Sequence, residues 1–233
     1  MPDEIILLSE RINTDPLVRM LLDANPLLGI SHADTLGKLR RAIDPGRRQR
    51  LISYHSGVIV PADILDAVGP AYNFHPGPPT RPGLFPATWA LYEGDARFGA
   101  TVHEMTPRVD DGPIVGVGWF DIEPDMSILE VDAITHDLMR DLFRQLAPLF
   151  ANADGRLDPI DIRWSGARTT RADYNRLLNL PSDVDEEEFN RRLRAVGIGP
   201  EHALHFTLHG RKFRMEVDDM GDVVIGGERV DIK

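Results

Sequence analysis

Two of the eight histidines stand where a strand runs into an irregular loop, the placement that most often carries chemistry. Around the first, the string Asn73-Phe74-His75-Pro76 sets an amide two residues from an imidazole. Residues two apart on a strand share a face, so Asn73 and His75 point together. An amide N–H beside an imidazole can hold an oxyanion and assist proton transfer. The second histidine, His103, leads into the loop Thr106–Gly112, where Asp110-Asp111-Gly112-Pro113 offers a carboxylate able to orient or charge His75. Two other accounts fit these residues. An Asn that caps its loop and a packed, backbone-bonded His explain Asn-x-His equally well. Alternatively, His75, His103 and Asp110 make an N2O set for zinc-assisted hydrolysis, although no His-Glu-x-x-His or His-x-His spacing accompanies them.

The elements that must position these groups alternate over the first 75 residues. Glu4–Ser9 is an apolar run of strand length, and Asp15-Pro16 predicts a helix start ahead of Leu17, Met20 and Leu21. Asn25-Pro26 ends that helix, Leu27–Ile30 reads as a second strand, and Thr35 caps a helix through Arg41. A third strand at Arg50–His55, a helix opened by Pro61 and a fourth strand at Tyr72–His75 follow. Strand and helix in this alternation imply an α/β fold: an open, mainly parallel sheet with helices on both faces. Pro76–Pro86 holds five prolines and two glycines, a rigid loop at a strand end, where such sheets take their ligands. A short helix over Thr88–Tyr92, strands at Ala100–Met105 and Pro113–Trp119, and a long helix over Ser127–Phe150 complete this half. The long helix carries Val131, Ile134, Leu138, Leu142 and Leu149 as its expected apolar stripe.

Beyond Gly155 the pattern changes. Asp185–Glu188 starts a helix with its acids in the first turn, a solvated face that favours the helix dipole. Alternation from Leu204 onward, with turns at Gly210 and Asp218–Gly221, predicts a small antiparallel meander through Val223–Ile225 and Val230–Ile232. Two domains are expected: residues 1–155, the larger α/β unit, and residues 156–233, a helix-plus-β-meander module. His136 falls among Asp132, Asp137, Asp141 and Arg144, and His205 and His209 fall on a non-core face; all three read as solvated surface.

The chain has 233 residues and no cysteine, which excludes thiolate metal sites and Cys nucleophiles. With 26 Lys and Arg against 37 Asp and Glu, the formal charge of −11 argues against sequence-independent binding of nucleic acid or anionic lipid. The acidic start Met-Pro-Asp-Glu lacks a signal-peptide n-region, and no apolar run is long enough to span a membrane. A cytoplasmic protein is expected.

Residues 51–150 resemble the formyltetrahydrofolate-dependent formyltransferase family. The resemblance runs through Ser53–Pro61, Asn73-Phe-His-Pro76, Arg81-Pro-Gly83, Trp89–Gly94, Gly99–His103 and Val109–Val115. It implies a catalytic triad of Asn73, His75 and Asp110, with Asp110 preferred to Asp111 because it lies seven residues after His103, as the family's Asp does. It also implies that the pterin of 10-formyltetrahydrofolate docks between Gly57-Val58-Ile59 and the loop holding Thr106, Arg108, Val109 and Gly112. No metal is implied. An acceptor amine would attack the formyl carbon directly, with Asn73 and a protonated His75 holding the resulting oxyanion and Asp110 keeping His75 charged. The family's glycine-containing first turn is replaced by Ser9-Glu10-Arg11-Ile12, and its frequent Ser after His-Pro is Gly77.

The tail resembles the short appendage of sugar N-formyltransferases, through Arg171–Leu178, Arg192–Ala195 and His205–Arg214. That implies a small-molecule amine acceptor, an amino-sugar nucleotide, and a homodimer, with no nucleic acid or membrane partner. Hydroxamate-forming amines, glycinamide ribonucleotide and water (a formyltetrahydrofolate hydrolase) stay open as acceptors. So does a non-catalytic folate-binding relative.

Overall fold

A computed structural model describes residues 1–196, 202–217 and 223–229. Six strands form one sheet in the order β2-β1-β3-β4-β5-β6. Strands β1 (Glu4–Ser9), β2 (Gly29–Ala33), β3 (Gln49–Tyr54) and β4 (Ala71–His75) run parallel. Strands β5 (Arg97–Glu104) and β6 (Ile114–Asp121) are each antiparallel to the strand before them. The parallel strands are joined by α1 (Arg11–Ala24), α2 (Leu36–Ala42) and α3 (Ala62–Val68); α4 (Pro86–Glu93) precedes β5 and α5 (Ile128–Asn152) follows β6.

Alternation along β1 divides the core. Ile5 and Leu7 pack with Leu17 and Leu21 of α1 and Phe143 and Phe150 of α5. Ile6 and Leu8 pack with Leu39 of α2 and Ile64 and Val68 of α3. Every strand of the sheet is thus covered by apolar groups on at least one face, the burial that drives its formation. Helix α5 is started by a capping box: the Ser127 hydroxyl accepts from the Glu130 N–H, and the Glu130 carboxylate returns to the Ser127 N–H. Its far end is closed by Arg50, a fully buried side chain on β3 that donates to the carbonyls of Leu149, Phe150, Ala153 and Gly155. The last carbonyls of a helix lack internal partners, and a buried guanidinium meets several at once.

The C-terminal part holds α6 (Arg171–Leu178), α7 (Glu186–Ala195) and an antiparallel sheet of β7 (His205–Leu208), β8 (Arg211–Val217) and β9 (Val223–Arg229). Tyr174, Leu177, Leu178, Val196 and Leu204 form its core, against which Phe85, Trp89 and Tyr92 pack. The Phe85 and Tyr174 rings stack at 3.8 Å.

Several expectations shift. Helix α1 begins at Arg11, so Pro16 lies inside it; the helix starts directly after β1, and Leu17 and Leu21 are still carried onto the sheet. Strand β2 starts two residues later than the apolar run suggested, because its pairing with Glu4–Leu8 sets the register. On α5, Ile134 and Leu149 face solvent, while Met139, Phe143 and Phe150 are buried: a helix of 25 residues meets β5, β6, α1 and α4 in turn, so its buried stripe is not the one that simple spacing picks out. Helix α6 has no counterpart in the sequence reading. The expected strand Val230–Ile232 lies outside the described residues. Among the described residues, no helix is long and apolar enough to cross a membrane.

Candidate active site

On β4, Tyr72 and Phe74 pack beneath α5, so Asn73 and His75 point to the opposite face. There α2 packs on β1 and β2 and α3 on β3, which leaves the β4–β5 part to loops. Antiparallel register puts His103 of β5 directly across from Asn73. A bulge between Val102 and His103 re-aims the chain toward the loop that carries Asp110.

Asp110 lies between the two imidazoles. Its Oδ2 is 3.5 Å from His75 Nδ1 and its Oδ1 is 3.3 Å from His103 Nε2. The Gly83 N–H donates to Oδ2 at 2.9 Å. Asn73 Nδ2 is 3.3 Å from His103 Nε2, which makes a continuous chain Asn73–His103–Asp110–His75. His75, His103 and Asp110 are each less than 5% exposed. Each imidazole has its other nitrogen on a backbone carbonyl: His75 Nε2 donates to Arg81 O at 2.9 Å and His103 Nδ1 to Glu104 O at 2.8 Å. One extra proton on either ring is therefore met by the same carboxylate. Asp111 instead turns outward toward Arg108 and Arg168. The carboxylate oxygens contact different imidazoles at ion-pair distances, the geometry of a proton-sharing chain rather than of ligands converging on one ion.

Burial pushes the Asp110 carboxyl up, but the His103 and His75 contacts and the Gly83 N–H outweigh it, and the group is held below the usual carboxylate range. Burial pushes His75 down, against upward pulls from Asp110 and the Arg81 carbonyl, and the net direction is down. In the resting site the neutral imidazole is thus favoured over the charged form expected above. The difference arises because the Pro-rich loop folds over His75 and removes water from it. Gly77 makes this fit possible: a Cβ there would sit 2.6 Å from His75 Nε2 and 2.7 Å from Pro86 Cβ. The absence of a serine at this position therefore matches the path of the loop.

The residues expected to hold a pterin fall in two loops. Gly57 and Ile59 are exposed just past β3, and Val58 packs on the α2/α3 cluster. Met105, at the head of the second loop, packs on that same cluster. Thr106 donates to the Arg108 carbonyl at 2.8 Å, and Arg108 and Val109 are exposed. Gly112 is buried, and a Cβ there would lie 1.9 Å from the Glu104 carbonyl. Val58 and Met105 thus bring the heads of the two loops onto one apolar cluster, with Gly57 and Ile59 exposed beside it.

Some neighbours of the site carried no signal in the sequence. Trp164 sets its ring edge-on to His75 at 5.5 Å and to His103 at 5.0 Å, from a segment without periodicity. Arg81, by contrast, belongs to the Arg81-Pro-Gly83 match, and it anchors the Pro-rich loop to Asp95 and Glu93. A second histidine pair also emerges: His136, exposed as expected, meets His55 at 4.4 Å beside a cavity of about 290 Å³ lined also by Glu10, Tyr54 and Arg140.

Residues 51–145, from β3 through most of α5, match the family model described as formyl transferase. Over those residues the chain is similar to the formyl transferase family. It is 29% identical over 175 residues to dTDP-4-amino-4,6-dideoxyglucose formyltransferase of Mycobacterium tuberculosis, covering 73% of this chain and 71% of that protein. Among solved structures, a 4-N formyltransferase from Francisella tularensis matches with a TM-score of 0.74 at 18% identity, covering 99% of each chain. The N-formyltransferase from Helicobacter canadensis, in complex with folinic acid and dTDP-3-aminofucose, matches with a TM-score of 0.61 at 13% identity, covering 97% of this chain and 98% of that one. At these identities the two structures share the fold.

Proposed function

We propose that the protein moves a formyl group from 10-formyltetrahydrofolate to the primary amine of an amino-sugar nucleotide. The observation that carries this reading is the buried chain Asn73–His103–Asp110–His75, built within the segment that matches the family model. The acceptor class is supported by the Mycobacterium relative's substrate and by the folate and amino-sugar nucleotide in the Helicobacter complex. A net charge of −11 makes a small acceptor a better fit than tRNA.

The donor supplies a formyl carbon on an amine nitrogen; the protein supplies position and charge. Gly57, Val58 and Ile59 on one loop and Thr106, Arg108, Val109 and Gly112 on the other bind the pterin through backbone groups. Attack by the acceptor amine loads negative charge onto the formyl oxygen, and donors at that oxygen are worth roughly 3–4 kcal/mol each. Asn73 and His75 are those donors, with His75 Nε2 exchanging the Arg81 carbonyl for substrate. Ionised Asp110 stabilises the imidazolium as the amine proton passes toward the departing nitrogen. In this reading residues 1–155 carry the chemistry, 156–233 form the smaller module, and the protein is a cytoplasmic homodimer.

The test is tetrahydrofolate release measured with dTDP-4-amino-4,6-dideoxyglucose and a panel of other amines. Release that depends on an amino-sugar nucleotide and disappears in His75→Ala supports transfer. Release without any amine marks a hydrolase, and folate binding without release marks a binding protein; either overturns the reading. Light scattering at the monomer mass of 26.1 kDa removes the dimer alone.

A further inference from the structure

We propose that Trp164 and Arg168 are positioning residues, which clamp the Asp110 loop so that its carboxylate stays between the two imidazoles. They lie on the segment 158–170, which returns from α5 across the site, and the inference rests on reading that site as catalytic.

Asp110 has φ +48°, a left-handed backbone that an L residue holds only when its surroundings impose it. Two side chains from the returning segment impose it here. Arg168 Nη2 donates to the Asp110 carbonyl at 2.9 Å, and Trp164 Nε1 donates to the Gly112 carbonyl at 2.9 Å. Asp111, 3.5 Å from Arg168, aligns the guanidinium from outside.

The segment is itself pinned to the Pro-rich loop. Ser165 N–H donates to Pro79 O, Thr169 N–H to Pro82 O, and Leu84 N–H to Thr169 O. Gly166, at φ +79°, permits the approach, since a Cβ there would lie 2.3 Å from the Thr80 carbonyl. One segment therefore ties together the loop that follows His75 and the loop that carries Asp110. Between those loops, the Gly83 N–H bond to Asp110 is the direct link seen among the described residues.

The Trp164 ring adds a second effect. It faces both imidazoles edge-on and offers them no proton acceptor. The groups facing His75 are Asp110 from its loop, His103 from β5, the Arg81 carbonyl and this indole. Shortening the indole admits water and relaxes the burial that holds His75 down.

The test uses the full-length protein, with His75 and His103 followed by side-chain NMR across pH and turnover followed by tetrahydrofolate release with dTDP-4-amino-4,6-dideoxyglucose. Trp164→Ala is expected to raise the His75 titration midpoint, and Trp164→Phe to leave it closer to the parent. Arg168→Ala is expected to lower kcat by about tenfold to a hundredfold, the cost of a slightly misplaced catalytic group. The KM for the formyl donor should move by less than about threefold, and Arg168→Lys should recover most of kcat. If Trp164→Ala fails to fold, the more exposed Arg168 pair decides the matter. The clamp is overturned if Arg168→Ala keeps both kcat and the His75 titration, or if Arg168→Lys loses as much as Arg168→Ala. If the parent releases no tetrahydrofolate but His75 still shifts in Trp164→Ala and Arg168→Ala, the transfer reading fails and the clamp stands.

Discussion

The protein has two histidine pairs, one on β4 and β5 and one between the end of β3 and α5, and they differ because only the first encloses a carboxylate. His75 and His103 each face an oxygen of buried Asp110. His55 and His136 face each other edge-on at 4.4 Å, beside the crevice between the carboxyl ends of β1 and β3. Burial depresses both His75 and His55. For His55 the neighbouring imidazole adds to that push, and Glu10 offers only a partial counterweight. For His75 the main counterweight is Asp110. The carboxylate between His75 and His103 offsets the repulsion that the His55–His136 pair meets without such a counterweight.

Removing that carboxylate's charge is the sharpest way to break the contrast. Asp110→Asn is expected to lower turnover about a hundredfold or more, while Asp111→Asn changes it by less than about threefold, read by steady-state tetrahydrofolate release. The reverse order would assign the role to the outward carboxylate. Next in size, Gly77→Ser drives a Cβ against His75 Nε2; overpacking of this kind costs about 1–3 kcal/mol. A thermal melt unchanged from the parent would show that the imidazole is not confined by that loop.

The pH dependence of stability separates the partners. Asp110 is held below its ordinary 3.8, so the stability it adds is full above that value and is lost as pH falls through the folded pKa. His75 is held below its ordinary 6.5, so its burial favours folding above 6.5 and that contribution is lost as pH falls toward the folded value. Denaturant melts of His75→Gln should therefore fall less steeply below pH 6.5 than the parent, and those of Asp110→Asn less steeply below 3.8. The smallest effect belongs to the other pair: His136→Gln should raise the His55 titration midpoint slightly and leave turnover unchanged. A large loss of turnover would place the crevice within the reaction.

Much of the site can be read directly from the chain. Asn73 and His75 share a face because a strand alternates, and the family resemblance, through the spacing after His103, implies the same aspartate that the structure places between the imidazoles. Trp164 and Arg168 could not be read in this way, since residues 158–170 have neither period nor charge pattern, and their partners are backbone carbonyls that carry no residue identity. The buried Arg50 was equally silent, because its meaning lies in four carbonyls about a hundred residues away. The shift in the α5 stripe has a related cause: which face a long helix buries depends on everything it crosses.

The succession of strands and helices over the first half and the open, mainly parallel architecture were determined by local pattern, through alternation, caps and proline placement, and the family resemblance pointed to Asn73, His75 and Asp110 as the candidate side chains. What the tertiary structure decided is the electrostatic state of those side chains. Burial, and the distance from one carboxylate to two imidazoles, depend on loops brought together from residues 76–86, 106–112 and 158–170. Proton affinity is set by the surroundings in space, and those surroundings exist only once the chain has folded.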